Sequence, residues 1–448
     1  MNFAEFKELV IAEAQAKGIA DYELYYQAGE STSISAFQHS INQFTDSTEG
    51  GICFRCIVGG KMGYASTEAL SAEEAKAIVA RAAANAEVLE SEEKVFLGEG
   101  GKTYAVIDRK PMELPTTDAL IAKVLSTQEK IYAADKAVID GSSTQGISEK
   151  SVTAIVNSKG LDLYHEISLA GLVVAAVVTN GTEKANDYQI KLGSLDEIDT
   201  DELTKKAAEC ALRKLGGEVA PTGQYPVVFD SEAMSSLLQV YSSIFSSEAA
   251  QKGLSKLAGK EGEKIAADIV TIVDDPFHPE NPMPMPFDAE GSPTAKKNII
   301  EKGVFKTLLY NLKTANVAGK ETTGNAAKAG YAGAVNVRPF SMYLEGGNMT
   351  EEELLAKVGN GVYITSLSGL HAGANAITGD FSLQSAGFML ENGVKTTAVK
   401  SFTVAGNFYE LLKNVVAVAN NAHLPSAMGS TAFGAPTTWV DGLSVAGK

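Results

Sequence analysis

Residues 381–404 read FSLQSAGFMLENGVKTTAVKSFTV, two runs rich in strand-forming residues separated by Asn392-Gly393. Asn-Gly readily adopts the two positive φ angles of a two-residue turn, and such a turn between strand-like runs is typical of a β-hairpin. We therefore predict strands at 381–390 and 394–404, and a β-rich C-terminal part of the chain.

Further elements lie outward from this hairpin. Two more hairpins are predicted at turns that end in glycine: Ser158-Lys159-Gly160 between 153–156 and 161–178, and Glu301-Lys302-Gly303 between 298–300 and 304–310. Apolar spacing, capping pairs and glycine stops predict helices near 3–17, 71–89, 120–125, 201–215 and 350–359. Because helices and hairpins do not alternate strictly, the order favours an α+β fold over a doubly wound parallel sheet.

Two breaks in the pattern divide the chain. Gly216-Gly217, Pro221 and Gly223 precede a strand at 225–229, and a weaker break lies near 97–115. A length of 448 residues suits two to three domains at roughly 150 residues each. We therefore predict an N-terminal α+β domain at 1–110, a central domain at 111–220 and a β-rich C-terminal domain at 221–448.

Charge and composition exclude several classes of protein. The chain has 38 Lys and Arg against 55 Asp and Glu, a formal net charge of −17, which argues against a nucleic-acid partner. The longest apolar run, 167–178, is shorter than the roughly 18 residues of a membrane span. The acidic N-terminus lacks a signal-peptide pattern, and three cysteines do not form a disulfide framework. We expect a cytoplasmic protein without membrane contact.

Spacing alone predicts no metal or nucleotide site. Cys53 and Cys56 form C-x-x-C inside a strand-like run, where residues three apart point to opposite faces, so we interpret both as structural. The HE pair at His165 has no second histidine at zinc-peptidase spacing. His278 lies in an acidic loop that is typical of a solvated surface. Residues 98–103 lack the first glycine of a phosphate-binding loop.

The stretch 369–380, GLHAGANAITGD, is small, glycine-rich and polar between apolar strands. Such a segment lets a ligand approach the backbone closely, although a tight turn with a capping aspartate explains the same residues. We name His371, Asn375 and Asp380 as candidate substrate-binding residues.

Separated motifs in a fixed order include this stretch and extend along most of the chain. They are residues 63–67 (GYAST), 273–275 (VDD), 287–293 (FDAEGSP), 301–304 (EKGV), 323–326 (TGNA), 363–365 (YIT), 378–382 (TGDFS), 386–388 (AGF), 391–393 (ENG), Lys400 and 441–445 (DGLSV). Together they resemble the TldD/PmbA family.

In that family, TldD-type subunits carry H-E-x-x-x-H on a helix and a cysteine near the C-terminus, and these hold zinc for peptide hydrolysis. PmbA-type subunits, also called TldE, lack this set and pair with TldD. The corresponding helix here is 231–250, SEAMSSLLQVYSSIFSSEAA, which has no histidine. Residues 420–448 have no cysteine, and residues 426–430 (SAMGS) stand where that ligand is expected. The resemblance implies a PmbA/TldE-type chain with no metal or cofactor of its own, and zinc in a TldD-type partner.

The resemblance implies a non-catalytic subunit of a TldD/TldE-type metalloprotease complex that encloses unfolded peptides for maturation or degradation. We expect capture by strand addition near the glycine-rich C-terminal segments, with a TldD-like zinc subunit or a second copy as partner. Two alternatives stay open. One is a stand-alone homodimeric hydrolase that uses His371 and Asp380 as an acid–base pair. The other is an interaction protein that modulates DNA gyrase, an older label of the family.

Overall fold

A computed structural model describes residues 1–108, 112–424 and 431–447. Both the predicted boundary at 110/111 and the segment 426–430 lie outside the described residues. The described chain has the predicted α+β fold, with mainly antiparallel sheets. None of its helices is long and apolar enough to cross a bilayer.

The helices are α1 (Phe3–Ala16), α2 (Ala72–Glu87), α3 (Thr117–Ala134), α4 (Thr200–Leu212), α5 (Ser231–Tyr241), α6 (Ser247–Gln251), α7 (Leu312–Ala318), α8 (Glu351–Val358), α9 (Leu370–Gly373) and α10 (Phe408–Lys413). The strands are β1 (Asp21–Phe37), β2 (Ser40–Val58), β3 (Lys61–Thr67), β4 (Ser143–Asn157), β5 (Asp162–Thr179), β6 (Lys184–Leu192), β7 (Glu218–Val219), β8 (Gly223–Phe229), β9 (Ile272–Asp274), β10 (Lys297–Glu301), β11 (Val304–Phe305), β12 (Ala326–Ala327), β13 (Asn336–Val337), β14 (Ser341–Leu344), β15 (Gly361–Ser368), β16 (Asp380–Glu391), β17 (Val394–Asn407), β18 (Val415–Val418), β19 (Ala432–Gly434) and β20 (Thr438–Ala446).

The first sheet is antiparallel, with the strand order β3-β2-β1-β4-β5-β6. The predicted N-terminal and central segments supply three strands each, so both contribute to one sheet. One group of buried side chains joins α1 and α2 to the sheet, and another joins α3 and α4 to it. The division into three domains stays a prediction.

Strand β2 confirms that the two cysteines of the C-x-x-C pattern point to opposite faces. Cys56 packs with the α1 and α2 core, whereas Cys53 packs with Ile155, Leu161 and Phe287. Both thiols are buried and free. The alternation of side chains along a strand therefore separates them, as predicted.

The C-terminal part contains a seven-stranded sheet in the order β18-β20-β8-β15-β16-β17-β7, with an additional β17–β20 pairing. A five-stranded sheet has the order β11-β10-β9-β14-β19. The predicted hairpin at 381–404 is confirmed as β16 and β17, and its turn residues Asn392 and Gly393 have φ of 52° and 80°. The hairpin predicted at 298–310 is shorter, because β11 ends at Phe305.

The prediction of one continuous helix at 231–250 is wrong. Helix α5 ends at Tyr241, a 3₁₀ turn follows at Ser242–Phe245, and Ser246 is extended before α6 begins. Serine favours caps over helix interiors, and the Ser246 side chain accepts a hydrogen bond from Ala249 N as the cap of α6. Ser247 N also donates to Leu309 O, a tertiary contact that replaces a helical one.

Candidate functional site

A cavity of about 1730 Å³ lies where the first sheet meets the C-terminal part of the chain. Its lining comes from β5, β6 and α4 on the sheet side. Further lining residues come from helix α5, the proline-rich loop at 279–286, the end of β15, His423, Phe433 and the segments around Ile107 and Glu113. The cavity is large enough for several residues of an extended peptide, since pockets for drug-sized ligands measure roughly 300–1,000 Å³.

Helix α5 presents its polar face to this cavity. Glu232, Ser235, Ser236 and Gln239 line it at the spacing i, i+3, i+4, i+7, which places them on one side of a helix. The opposite side carries an apolar stripe whose members are buried: Met234, Leu237, Leu238 and Tyr241. The core contact of this stripe therefore fixes which side chains reach the cavity.

Ser231 begins α5 and contacts His423 at the cavity margin. The Ser231 hydroxyl lies 2.6 Å from Ala435 O and 3.0 Å from His423 Nδ1. A carbonyl oxygen only accepts, so the single hydroxyl proton points to Ala435 and His423 Nδ1 donates to Ser231. His423 Nδ1 is also 3.4 Å from the carbonyl of Asn421, which requires the same tautomer. Nδ1 of His423 is therefore unable to act as a base toward Ser231 in this arrangement.

The side chains of α5 do not fit zinc. Protein zinc sites use cysteine, histidine and carboxylate ligands, whereas the cavity face of α5 offers one carboxylate, two hydroxyls and one amide. Both hydroxyls donate to backbone carbonyls one turn earlier. Within the described ranges, no three His, Cys, Asp or Glu side chains are grouped so as to hold a metal ion. Residues 426–430 lie outside those ranges, and the absence of a cofactor in this chain stays a prediction.

Strand β6 brings backbone hydrogen-bonding groups to the cavity. It is the outermost strand of the first sheet, it pairs with β5, and its residues 187–192 line the cavity. An outermost strand offers N–H and C=O groups to an added strand. Tyr188 is 59% exposed here and supplies an apolar surface beside the edge.

The lining is predominantly acidic. Among the described lining residues, eight carboxylates face three lysines: Glu113, Glu166, Asp187, Glu197, Asp199, Glu202, Glu232 and Glu280 against Lys191, Lys206 and Lys214. A cleft lined by one sign of charge raises the local concentration of oppositely charged ligands. The net negative charge of the lining therefore favours ligands that carry basic groups.

The three residues named from the sequence lie elsewhere. Asn375 and Asp380 line a separate, shallow depression of about 520 Å³, and His371 lies on the adjacent α9 with its side chain exposed. Within the described chain, no hydrogen bond joins His371 to Asp380. Their role in substrate binding stays a prediction.

Local hydrogen bonds account for two of these residues. Asn375 Oδ1 accepts from the backbone N–H groups of Ile377 and Thr378, which makes a tight turn. Asp380 Oδ1 accepts from Asn407 Nδ2 at 2.8 Å, and this bond, with a smaller contribution from Thr378, lowers the pKa of Asp380. An acid with a lowered pKa is a poor proton donor at neutral pH, so this geometry does not support the acid–base pair of the alternative hypothesis.

The motif at 287–293 has a structural function. Asp288 is buried and accepts hydrogen bonds from the backbone N–H groups of Glu290, Ser292 and Ala326. Glu290 Oε2 accepts from Leu312 N at the start of α7. These bonds fold the motif back on itself and tie it to neighbouring segments.

Two features of the cavity, the polar face of α5 and the edge of β6, are not among the residues predicted from the sequence. The polar face of α5 has a signal in the sequence, the helical spacing of Glu232, Ser235, Ser236 and Gln239. No local signal identifies β6 as an outermost strand, because this depends on which strands the rest of the chain places beside it.

Family models match the chain in three consecutive blocks. Models described as PmbA/TldA metallopeptidase domain 1, central domain and C-terminal domain match residues 22–86, 110–215 and 222–447. The fold and these matches define a member of a metallopeptidase family. This chain belongs to the PmbA/TldD family.

Individual relatives extend over most of the chain. It is 25% identical over 418 residues to the metalloprotease PmbA homolog of Haemophilus influenzae, which covers 91% of this chain and 89% of the relative. The structure of TldE from Thermococcus kodakarensis is similar at a TM-score of 0.87 and 25% identity, with 98% of this chain and 99% of the other covered. A Thermotoga maritima structure, described as that of a candidate modulator of a DNA gyrase, has a TM-score of 0.89 at 30% identity and covers 99% and 100%.

Proposed function

We propose that this chain is a non-catalytic, TldE-like subunit of a metalloprotease complex that acts on unfolded peptides. The observation that carries the proposal is the cavity face of α5, where Ser, Glu and Gln stand on the helix that carries the zinc-binding histidines in TldD-type subunits. Function depends on the site more than on the fold, so the same fold without these ligands suits a supporting subunit. Zinc and the hydrolytic step belong to a TldD-like partner.

The cavity supports an unfolded peptide as the ligand. An extended peptide gains main-chain hydrogen bonds by pairing with a strand at the edge of a sheet, and β6 is the outermost strand beside the polar face of α5. Most backbone groups of a folded domain are already paired within its own secondary structure, whereas an unfolded segment offers them along its whole length. The subunit therefore encloses the extended segment while its partner cleaves it.

The test compares this chain alone with the chain co-purified with a TldD-like subunit that carries H-E-x-x-x-H. With a disordered, lysine-containing fluorogenic peptide as substrate, we expect no hydrolysis by this chain alone in added zinc, and hydrolysis by the pair. Hydrolysis by the highly purified single chain, abolished by a chelator, would overturn the proposal.

A variant pair tests the cavity itself. Ser236→Trp fills the cavity beside α5 and should lower kcat/KM of the pair about tenfold by excluding peptide. Ser126→Trp is a matched control, because Ser126 also lies on a helix, is exposed and donates to a carbonyl of the preceding turn. Equal activity of the two variants would argue against peptide binding in this cavity.

A further inference from the structure

Part of the outer edge of strand β2 has no strand paired with it in the described chain. It extends from Ser40 to Val58 and pairs with β1 on its inner side from Ser40 to Ile57, with one bulge at Asn42, but β3 pairs only with Ile52–Val58 on its outer side. The side chain of Tyr331 covers Gly51, where an added Cβ would lie 2.5 Å from its ring. Residues 43–49 have no outer strand partner within the described part of the chain.

This free edge, residues 43–49 (QFTDSTE), is well suited to pairing. Six of its seven residues are exposed, and Phe44 is 52% exposed. Natural edges are usually protected by proline, lysine, short length or bulges, yet this segment contains no proline or lysine. The register shift near Asn42 lies beyond its end, so the segment itself stays regular.

The charges on the free edge indicate what kind of strand pairs with it. The free edge carries Asp46 and Glu49 and no basic residue, and Glu30 lies on the neighbouring strand opposite Thr48. A second copy would bring carboxylates to carboxylates between two chains that each carry a charge of −17, and like charges across paired strands destabilise the pair. The acids therefore act against self-pairing while they favour a strand with basic residues.

We propose that the free edge of β2 docks, by antiparallel or parallel strand addition, an edge strand of the partner subunit that carries Lys or Arg opposite Asp46 and Glu49. The identity of this partner as the zinc subunit rests on the proposed function. Main-chain hydrogen bonds supply pairing and the charged contacts supply selectivity, so strands that lack basic residues are rejected.

The geometry specifies the partner strand further. Asp46 and Glu49 are three residues apart and so lie on opposite faces of the sheet, which requires one basic residue on each face of the added strand. Seven residues at about 3.4 Å each give a paired length of about 24 Å. Phe44 shares the face of Asp46 and becomes covered on docking, because residues two apart on a strand point the same way.

The test uses the full-length chain and the full-length H-E-x-x-x-H subunit, with affinity measured by titration calorimetry at low and high salt. Asp46→Lys combined with Glu49→Lys should weaken the complex at least about tenfold and reverse the sign of its salt dependence. Glu352→Lys combined with Glu391→Lys is the control, since both residues are exposed on the C-terminal part and the change in net charge is the same. The control should bind within about twofold of wild type.

A second measurement does not depend on variant folding. Hydrogen exchange of the wild-type chain should show new amide protection at residues 43–49 on complex formation, with the paired amides slowed at least about tenfold. A complex that forms without protection there, and that tolerates the double substitution, would overturn the docking surface while the proposed function stands. Absence of any complex would overturn both. If the wild-type chain instead forms a homodimer whose interface protects residues 43–49, the proposal that this edge binds a basic strand of the partner subunit is wrong.

Discussion

Asp274 shows how much one residue of the 273–275 motif contributes. Its side chain has no exposed surface, and its carboxylate accepts from Lys297 Nζ, Asn325 Nδ2 and the backbone N–H groups of Phe340 and Ser341. One oxygen serves the two backbone donors and the other serves the two side chains. The residue therefore joins three segments that are distant in sequence.

Removing this carboxylate should be severely destabilising. Asp274→Ala removes the carboxylate partner of the Lys297 ammonium, whose side chain is only 14% exposed, and the acceptor of the backbone N–H groups of Phe340 and Ser341. We therefore expect the free energy of unfolding to fall by about 3–5 kcal/mol. Urea denaturation followed by circular dichroism measures the change. The control is Asp268→Ala, which removes an exposed ion pair with Lys264 and should cost less than about 1 kcal/mol. Equal losses in the two variants would contradict this account of Asp274.

At the scale of elements, the turns of two hairpins differ in their surroundings. Gly393 ends the turn between β16 and β17 with φ of 80°, and Gly60 ends the turn between β2 and β3 with φ of 77°. A Cβ at Gly393 would lie 2.7 Å from Ala356 Cα, whereas a Cβ at Gly60 has no atom within 4 Å. The first turn thus packs on α8 and the second is open.

This difference separates backbone strain from steric contact. Gly60→Ala should cost about 1–2 kcal/mol, the strain of a left-handed residue with a side chain. Gly393→Ala carries the same strain and also forces β16 and β17 away from α8, so we expect at least about 1 kcal/mol more. Thermal unfolding of both variants in one buffer gives the comparison. If Gly393→Ala loses no more stability than Gly60→Ala, α8 moves to accommodate the added methyl group and the steric account is wrong.

At the scale of the whole molecule, a buried charged cluster joins the first sheet to the C-terminal part. Arg55 on β2 donates to Glu23 Oε1 at 2.7 Å, and Asn157 Nδ2 donates to Glu23 Oε2 and to Gly98 O. The carboxyl group of Glu290 also interacts electrostatically with the guanidinium of Arg55. Burial raises the pKa of Glu290 from 4.5 to about 7, and the positive charge of Arg55 opposes this rise.

The raised pKa predicts a pH dependence of stability. The folded state favours protonated Glu290. The contribution of this group to the free energy of unfolding is therefore complete below pH 4.5 and is lost as pH rises to about 7. Glu290→Gln stays neutral, so its stability relative to wild type should increase by about 2–3 kcal/mol over this interval. Urea denaturation at pH 4.5, 6 and 7.5 measures the difference. Glu352→Gln, at an exposed position, should parallel wild type; a pH-independent difference for Glu290→Gln would refute the assignment.

Local features were predictable because they depend on neighbouring residues. The hairpin at Asn392-Gly393 and the cap at Ser71, whose side chain accepts from Glu74 N, follow from residues a few positions apart. The helix end at Tyr241 was missed, because the bond from Ser247 N to Leu309 O competes with helix continuation. The candidate residues His371, Asn375 and Asp380 were chosen from composition, which carries no information about concavity.

The sequence by itself determined the α+β class, the principal hairpin, the opposite orientation of the two C-x-x-C thiols, and the family, because each rests on short-range geometry or on the order of motifs. Only the tertiary structure decided where the large cavity lies, which face of α5 reaches it, and which strands lie at the edges of the sheets. Ser231 and His423 are 192 positions apart, yet their side chains are 3.0 Å apart. Such contacts arise from the packing of the whole core, where each burial depends on all the others.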